Sequence, residues 1–562
     1  MLAAQAGERE LDSAAASQLY SQTRGNPLFI VETVRAGLIS AVDGALPPKV
    51  HAILSARLAQ LGEASYELAG AAGAIGRPCT ADLLAQVCKC PEDSVARSLD
   101  ELLRRRILLP HGADAYDFSH GKFSELAYSE LGPPMRRLLH RRIAEALSRV
   151  GGGDASSAEI AAHYEKAGAA AEAIGFYQQA VEVALTRYAE QEAIAHLTRA
   201  LALLEGLPPG LDRDATELRI LISLGRSLTT VRGFAAPEAG RVYARARVLS
   251  ELAGDSASRF PVLSGSSLFH GVSGQLTAAR DFGCRYLRQA EALGDKVRAA
   301  AAHFLIGSST LHLGEVRAAR QEFTDCLELY ESAHGGKRFF DLGPELEAFC
   351  RANFAHALWL LGDPENAVAE MRRTVLIADS LSHPFSLALA LAYDALLHHY
   401  RGEWQPAEEQ ARSAAALCQK YGFSYYLAWT PIVLGWAMVE RGLAAEGLAQ
   451  MQQGYKEFRA TGALLRAPYY LALIAQACHT LGRTGQGLEI IAEARAVAQR
   501  SGESWMRCEL ERIHGDLLAG AGQREEAEIH YRTALRLARA AGLAPFERRA
   551  AARQGGSTLA AG

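Results

Sequence analysis

One spacing limits what this chain can fold into. Small residues stand at Ala367, Ala407, Gly447, Gly487 and Ala527, a step of 40 residues each time. Twelve residues before each stands another small residue: Ala355, Ala395, Gly435, Ala475 and Gly515. The copy beginning at Cys508 shows what one step contains. Its first half carries Leu510, Ile513, His514, Leu517 and Leu518 on one face at a helical period. Gly522 and Gln523 break that pattern. Its second half carries Ala527, Tyr531, Ala534, Leu535 and Ala538 on one face. The spacing predicts two helices whose backbones approach at the small residues, with Tyr531 wedged between them. Such a pair cannot bury its apolar face alone, so neighbouring pairs must stack. Weaker copies centred on Ala173, Ala193, Ala239, Ala278 and Ala319 extend the stack across residues 158–545.

The order of small, small, aromatic and small residues resembles the tetratricopeptide repeat. Composition agrees: 49% of residues are hydrophobic, Ala and Leu dominate, and helix is favoured over sheet. A net charge of −4 on 562 residues argues against a global field for polyanions. The nine cysteines are scattered and odd in number, which suits reduced core thiols in a cytoplasmic protein. Cys88 and Cys90 have no second pair at zinc spacing, so no metal is expected. The first residues lack the basic and apolar segments of a signal peptide, and no run is long enough to span a membrane.

Ahead of the repeats the chain reads differently. Residues 1–45 hold two helices broken at Arg24-Gly25-Asn26-Pro27. Residues 46–150 read as a compact domain of apolar-striped helices. Thr80 caps one of them and Pro91 opens another. Two short strands follow around His111-Gly112-Ala113-Asp114, giving strand only near 107–119. Three helices and then a β-hairpin is the winged-helix order. GGGDASS at 151–157 is a linker, HGGKRFFDLGPE at 334–345 is the largest insertion in the array, and 546–562 reads as a disordered tail. The expected fold is all-α: a winged-helix-like domain followed by a tetratricopeptide-type α-solenoid.

Several words carry a wider resemblance. Arg24-Gly25-Asn26-Pro27-Leu28-Phe29, Leu46-Pro47-Pro48-Lys49-Val50 and Phe118-Ser119-His120 resemble the arm and winged helix of bacterial STAND-type signalling ATPases. His383-Pro384-Phe385-Ser386-Leu387-Ala388, Leu434-Gly435-Trp436-Ala437 and Pro468-Tyr469-Tyr470-Leu471-Ala472 are similar to the repeat region of large bacterial adenylate cyclases. The resemblance implies that Pro27 matches a proline packing on adenine. It implies that His120 matches a histidine touching the β-phosphate of bound ADP. The phosphate-cradling G-x-x-x-x-G-K-[ST] is missing, for Gly335-Gly336-Lys337 is followed by Arg338. No cyclase segment is found either. The chain is therefore expected to begin after the nucleotide-hydrolysing core, to be no enzyme, and to meet ATP or ADP only if another chain supplies that core.

Function is then sought in the repeats. No Ser-His-Asp or Cys-His set stands on a turn that would expose a nucleophile. The expected function is a regulatory, protein-interaction scaffold that holds a protein partner or small inducer in its groove. First helices of hairpins line such grooves, and Tyr393, His398, His399, Trp429, Trp436, Tyr469 and Tyr470 are the candidates, with His399, Trp429 and Tyr470 the preferred three. The alternative is a transcription regulator whose Arg104, Arg105, Arg106, Arg136, Arg137, Arg141 and Arg142 contact DNA phosphates. Interleaved Glu101 and Glu145 make a solvated face the simpler reading of those arginines.

Overall fold

The computed structural model describes residues 48–150, 156–253, 256–333 and 335–559. Pro27, the expected arm and most of the expected linker lie outside these residues. The chain divides into two compact units, residues 1–183 with 202–207, and residues 184–201 with 208–562.

The first unit contains α1 (Pro48–Ala59), α2 (Glu63–Ile75), β1 (Cys79–Thr80), α3 (Ala81–Cys88), α4 (Glu92–Arg104), β2 (Leu108–His111), β3 (Ala115–Phe118), α5 (Gly121–Ser129), α6 (Pro133–Val150), α7 (Ser156–Lys166) and most of α8 (Ala170–Thr186). The Thr80 hydroxyl accepts from Leu83 N at 3.3 Å and so caps α3. The strands form one antiparallel sheet in the order β1-β3-β2. Strand β1 corrects the expectation of strand near 107–119 alone. It has two residues, Cys79 opposite Tyr116 and Thr80 opposite Ala115, too few for alternation to be legible. Leu58, Leu84, Leu102, Ile107, Leu108 and Ile143 are fully buried at the centre of this unit.

The second unit is a run of helices. They are most of α9 (Glu190–Glu205), then α10 (Leu211–Arg232), α11 (Pro237–Ala253), α12 (Ser256–Val272), α13 (Leu276–Ala292), α14 (Lys296–His312), α15 (Val316–Ala333), α16 (Leu346–Leu360) and α17 (Pro364–Ser380). After them come α18 (Pro384–Arg401), α19 (Trp404–Tyr421), α20 (Ser424–Glu440), α21 (Ala444–Ala460), α22 (Ala467–Thr480), α23 (Thr484–Ser501), α24 (Arg507–Gly520), α25 (Arg524–Ala541) and α26 (Ala544–Leu559). From α16 to α25 they pair as helix hairpins of tetratricopeptide type, and first helices of successive hairpins also touch. Glycines with positive φ end helices at Gly402, Gly422, Gly442, Gly462, Gly482, Gly502, Gly522 and Gly542. The recurrence every 20 residues sets both helix length and hairpin period.

The small residues do what their spacing predicted. A side chain on Gly435 would meet the carbonyl of Gly447, and one on Gly447 would meet the carbonyl of Gly435, so α20 and α21 cross backbone to backbone. Ala355, Ala367, Ala395, Ala407, Ala475 and Ala527 are buried at the corresponding places. In one earlier hairpin the buried mark is Ala279 rather than the expected Ala278, because that face is shifted by one residue.

The chain after Leu543 also needs correction. Where a disordered tail was expected from 546, α26 continues to Leu559. Phe546 and Ala550 are buried, and Arg549 and Arg553 bond to carboxylates of α24. Arg549 and Arg553 stand four residues apart, so one face of α26 turns both toward carboxylates of α24.

The second unit folds back on itself. Leu464 N and Leu465 N donate to Val272 O at 2.8 and 3.0 Å, and Ser504 N donates to His312 O at 2.8 Å. Gly274 makes room for Leu464 and Gly314 for Ser504. The Tyr188 hydroxyl reaches Ser382 O at 2.9 Å, 194 residues along the chain. One apolar cluster consequently runs from Phe234 to Phe546 and fills much of the side that the first helices face.

Candidate functional site

That fold-back decides which aromatic side chains remain accessible. Tyr393, Trp429 and Tyr470 are 6%, 1% and 0% exposed, packed among Tyr425, Tyr426 and Phe458. Of the preferred three residues, Trp429 and Tyr470 are therefore interior. A groove drawn from repeat position alone assumes an open inner face. Here the ends of α12 and α14 bond to the loops after α21 and α23, and these aromatic side chains are buried.

At the centre of the aromatic cluster sits a charge. Arg466 precedes α22, has φ of 68° and is 1% exposed. A non-glycine residue in this region is strained unless its surroundings hold it. Its guanidinium lies 5.0 Å from the Tyr393 ring and 5.5 Å from the Trp429 ring. It donates to the Tyr400 hydroxyl at 3.1 Å, and its backbone N donates to Glu503 at 3.0 Å. Trp505 Nε1 donates to the same carboxylate at 2.6 Å. Burial pushes the Glu503 carboxyl up from 4.5 to about 7, although the Trp505 and Arg466 hydrogen bonds oppose the shift.

Beside this centre a cavity of about 470 Å³ opens. One wall carries His399, Trp436 and Tyr469, and the other carries Arg512, Asp516, Arg549 and Arg553. Tyr469 Oη and His399 Nδ1 are 2.6 Å apart, and Trp436 meets the His399 ring edge-on at 4.4 Å. Burial, then the Arg549 charge, pushes His399 down to about 3, so it is neutral near pH 7. On the charged wall Arg512 grips Glu509 with two bonds of 3.0 Å and reaches Asp516 at 2.5 Å. Asp516 also accepts from Arg553 at 2.8 Å and from the Tyr531 hydroxyl at 2.9 Å. Arg549 donates to Tyr400 O at 2.7 Å, 149 residues away, and lies over the Trp359 ring. Bidentate pairs of this kind hold side chains in fixed positions. The cavity thus pairs an aromatic side with a preset row of guanidinium and carboxylate groups.

The structure brings His399 and Trp436 together at this cavity, with Tyr469, only 1% exposed, buried behind them. His398 points elsewhere, bonded to Glu403 at 2.7 Å. His120 lies in the first unit, where its Nδ1 accepts from Lys122 N at 3.2 Å and caps α5. Sequence reasoning missed Tyr400, Arg466, Arg512, Asp516, Arg549 and Arg553. A signal existed for two of them: Arg512 follows Glu509 by three and Asp516 follows Arg512 by four, on a helix otherwise read for its apolar face.

No protein-family model matches the chain. An uncharacterised protein of Rhizobium meliloti (strain 1021) is 27% identical over 551 residues, covering 94% of this chain and 53% of its own length. The chain thus spans about half the length of the curated relative it matches. Similar solved structures include a Rap protein complexed with competence and sporulation factor, 14% identical, covering 66% of this chain and 98% of that one with a TM-score of 0.49. They also include a STAND protein with a tetratricopeptide repeat sensor from Pyrococcus horikoshii, 12% identical, with coverages of 94% and 70% and a TM-score of 0.33. The apo quorum sensor NprR of B. thuringiensis is 12% identical, with coverages of 65% and 99% and a TM-score of 0.40. Among the described residues, no helix is long and apolar enough to cross a membrane.

Proposed function

We propose that this chain is a regulatory, ligand-holding scaffold of STAND-type, adenylate cyclase-linked signalling, acting in the cytoplasm and without chemistry of its own. The observation that carries this reading is the cavity between the aromatic wall and the arginine–carboxylate row. Its size suits a small inducer or the end of a peptide from a protein partner. An apolar part of that ligand would lie on Trp436, and a charged part would meet Arg553 and Asp516. In the first unit, α2, β1, α3, α4, β2 and β3 follow one another as helix, strand, two helices and hairpin. That order supports a winged-helix domain acting as a lever between the ligand array and a nucleotide switch supplied elsewhere.

The rival reading, a DNA-binding regulator, has less to stand on. Arg105 bonds to Glu101 at 3.0 Å, Arg136 to Ser129 O at 2.5 Å, and Arg142 to Val87 O at 3.3 Å, so these arginines are engaged within their own unit.

The purified chain is expected neither to hydrolyse ATP nor to make cyclic AMP. Mixed with an ATPase core of the resembled class, it should restore regulated nucleotide binding. Replacing Trp436 or Arg553 by Ala should loosen the cavity ligand by about tenfold or more while sparing the fold. Duplex DNA binding that falls steeply with salt, with no effect on an ATPase core, would favour the rival.

A further inference from the structure

We propose a binding site for a divalent transition-metal ion at the junction of α23, α24 and α25, built from Glu511, His514 and His530. Donor atoms of these three residues all lie within 4.8 Å of one another, the single such convergence of three His, Cys, Asp or Glu residues among the described residues. Glu511 and His514 stand three apart on one face of α24, and His530 faces them from α25. His530 Nδ1 lies 2.6 Å from Glu511 Oε2, and the two imidazole rings are 4.1 Å apart at their centroids.

The chemistry of the donor set selects the ion. Two imidazoles and one carboxylate suit zinc, nickel, cobalt or copper, and not calcium or magnesium, which prefer oxygen. A tetrahedral ion with bonds of about 2.1 Å separates its donors by roughly 3.4 Å, so modest side-chain rotations gather these three and leave a fourth position for water.

Arg495 on α23 shows that His514 turns an electron pair toward the pocket. Its Nη1 lies 3.0 Å from His514 Nδ1 and its Nη2 lies 3.1 Å from Glu511 Oε1. A guanidinium can only donate, so His514 Nδ1 accepts. An ion would take that lone pair in place of the guanidinium. The Arg495 side chain is 43% exposed and free to turn into solvent. The bound ion would pin α24 to α25 within the same turns of α24 that carry Arg512 and Asp516 at the cavity.

The test uses the full chain without an affinity tag. Calorimetric titration with Zn2+ and with Co2+ is expected to show one ion per chain. His514→Ala and His530→Ala should each raise the Kd by about a hundredfold or more, beyond the roughly 10–100-fold that loss of an outer partner costs. His303→Ala, which breaks a separate histidine–carboxylate pair with Glu322, should leave the Kd unchanged. Arg495→Ala should tighten binding by removing the competing donor. The Co2+ complex of the unaltered chain should lack a thiolate charge-transfer band, a readout that holds even if a variant folds poorly. No stoichiometric binding, undiminished binding in both histidine variants, or a thiolate band from the cysteines would overturn the proposal.

Discussion

At the scale of single residues, the interior of the second unit is organised by one buried charge pair. Arg466 and Glu503 are 1% and 2% exposed, yet the carboxylate bonds to the Arg466 backbone rather than its guanidinium. The guanidinium is held instead by rings and the Tyr400 hydroxyl. Removing either partner leaves the other buried and uncompensated, which costs about 3–5 kcal/mol in comparable sites. Glu503 also carries a pH dependence. Its folded pKa of about 7 stands above its usual 4.5, so the folded state binds the extra proton. The stability it contributes is full below the lower value and is lost as pH rises through the higher one. Glu503→Gln should therefore flatten the decline of Tm between pH 5 and 8, and equal slopes in both proteins would rule this out. None of this was legible in the sequence. Arg466 lies in a short loop between helices, and only the fold-back reveals that its surroundings are aromatic. The cavity was half legible: His399, Trp436 and Tyr469 follow from repeat position, while Arg549 and Arg553 stood in a stretch read as tail.

At the scale of elements, the hairpins were legible and their mutual packing was not. The 40-residue step fixed where α20 and α21 cross, because two glycines face each other there. Gly435→Ala places a methyl against the Gly447 carbonyl and should cost on the order of 2–3 kcal/mol, with loss of urea resistance. Gly402 has φ of 78° with open space around its missing side chain. Gly402→Ala should cost only about 1 kcal/mol, from backbone strain alone. Comparable losses from the two changes would mean that the close crossing is not the governing contact. In the first unit, α6 and α7 meet at His140 and His163, whose Nδ1 atoms are 2.9 Å apart. Burial pushes both histidines down to about 4. Here the unfolded chain binds the extra protons, so this stability is full above pH 6.5 and falls away toward pH 4. Hydrogen exchange in α6 and α7, corrected for intrinsic rates, should accelerate across that window. His140→Gln should remove part of the acceleration, and a flat profile would exclude the pair as its source.

At the scale of the whole molecule, the bonds from Leu464 and Leu465 to Val272, and from Ser504 to His312, change what kind of object the second unit is. An ordinary repeat array is close to one-dimensional: each repeat touches its neighbours, folding spreads from any point, and the ends fray first. Here partners about 190 residues apart must meet before their contacts repay the search, which raises contact order well above that of a linear stack. Closing a flexible loop of that length costs about 2 kcal/mol more than closing one of 20 residues. Slow folding and joint unfolding follow. In rising urea, α12–α14 and α22–α24 should lose hydrogen-exchange protection at one common concentration. A last hairpin that opens well before α12–α14 would show that the array still behaves as a chain of independent repeats. Joint unfolding also bears on signalling. A ligand seated near α24 would be read by α12 and α14 through shared backbone bonds, without a relay along the repeats between them.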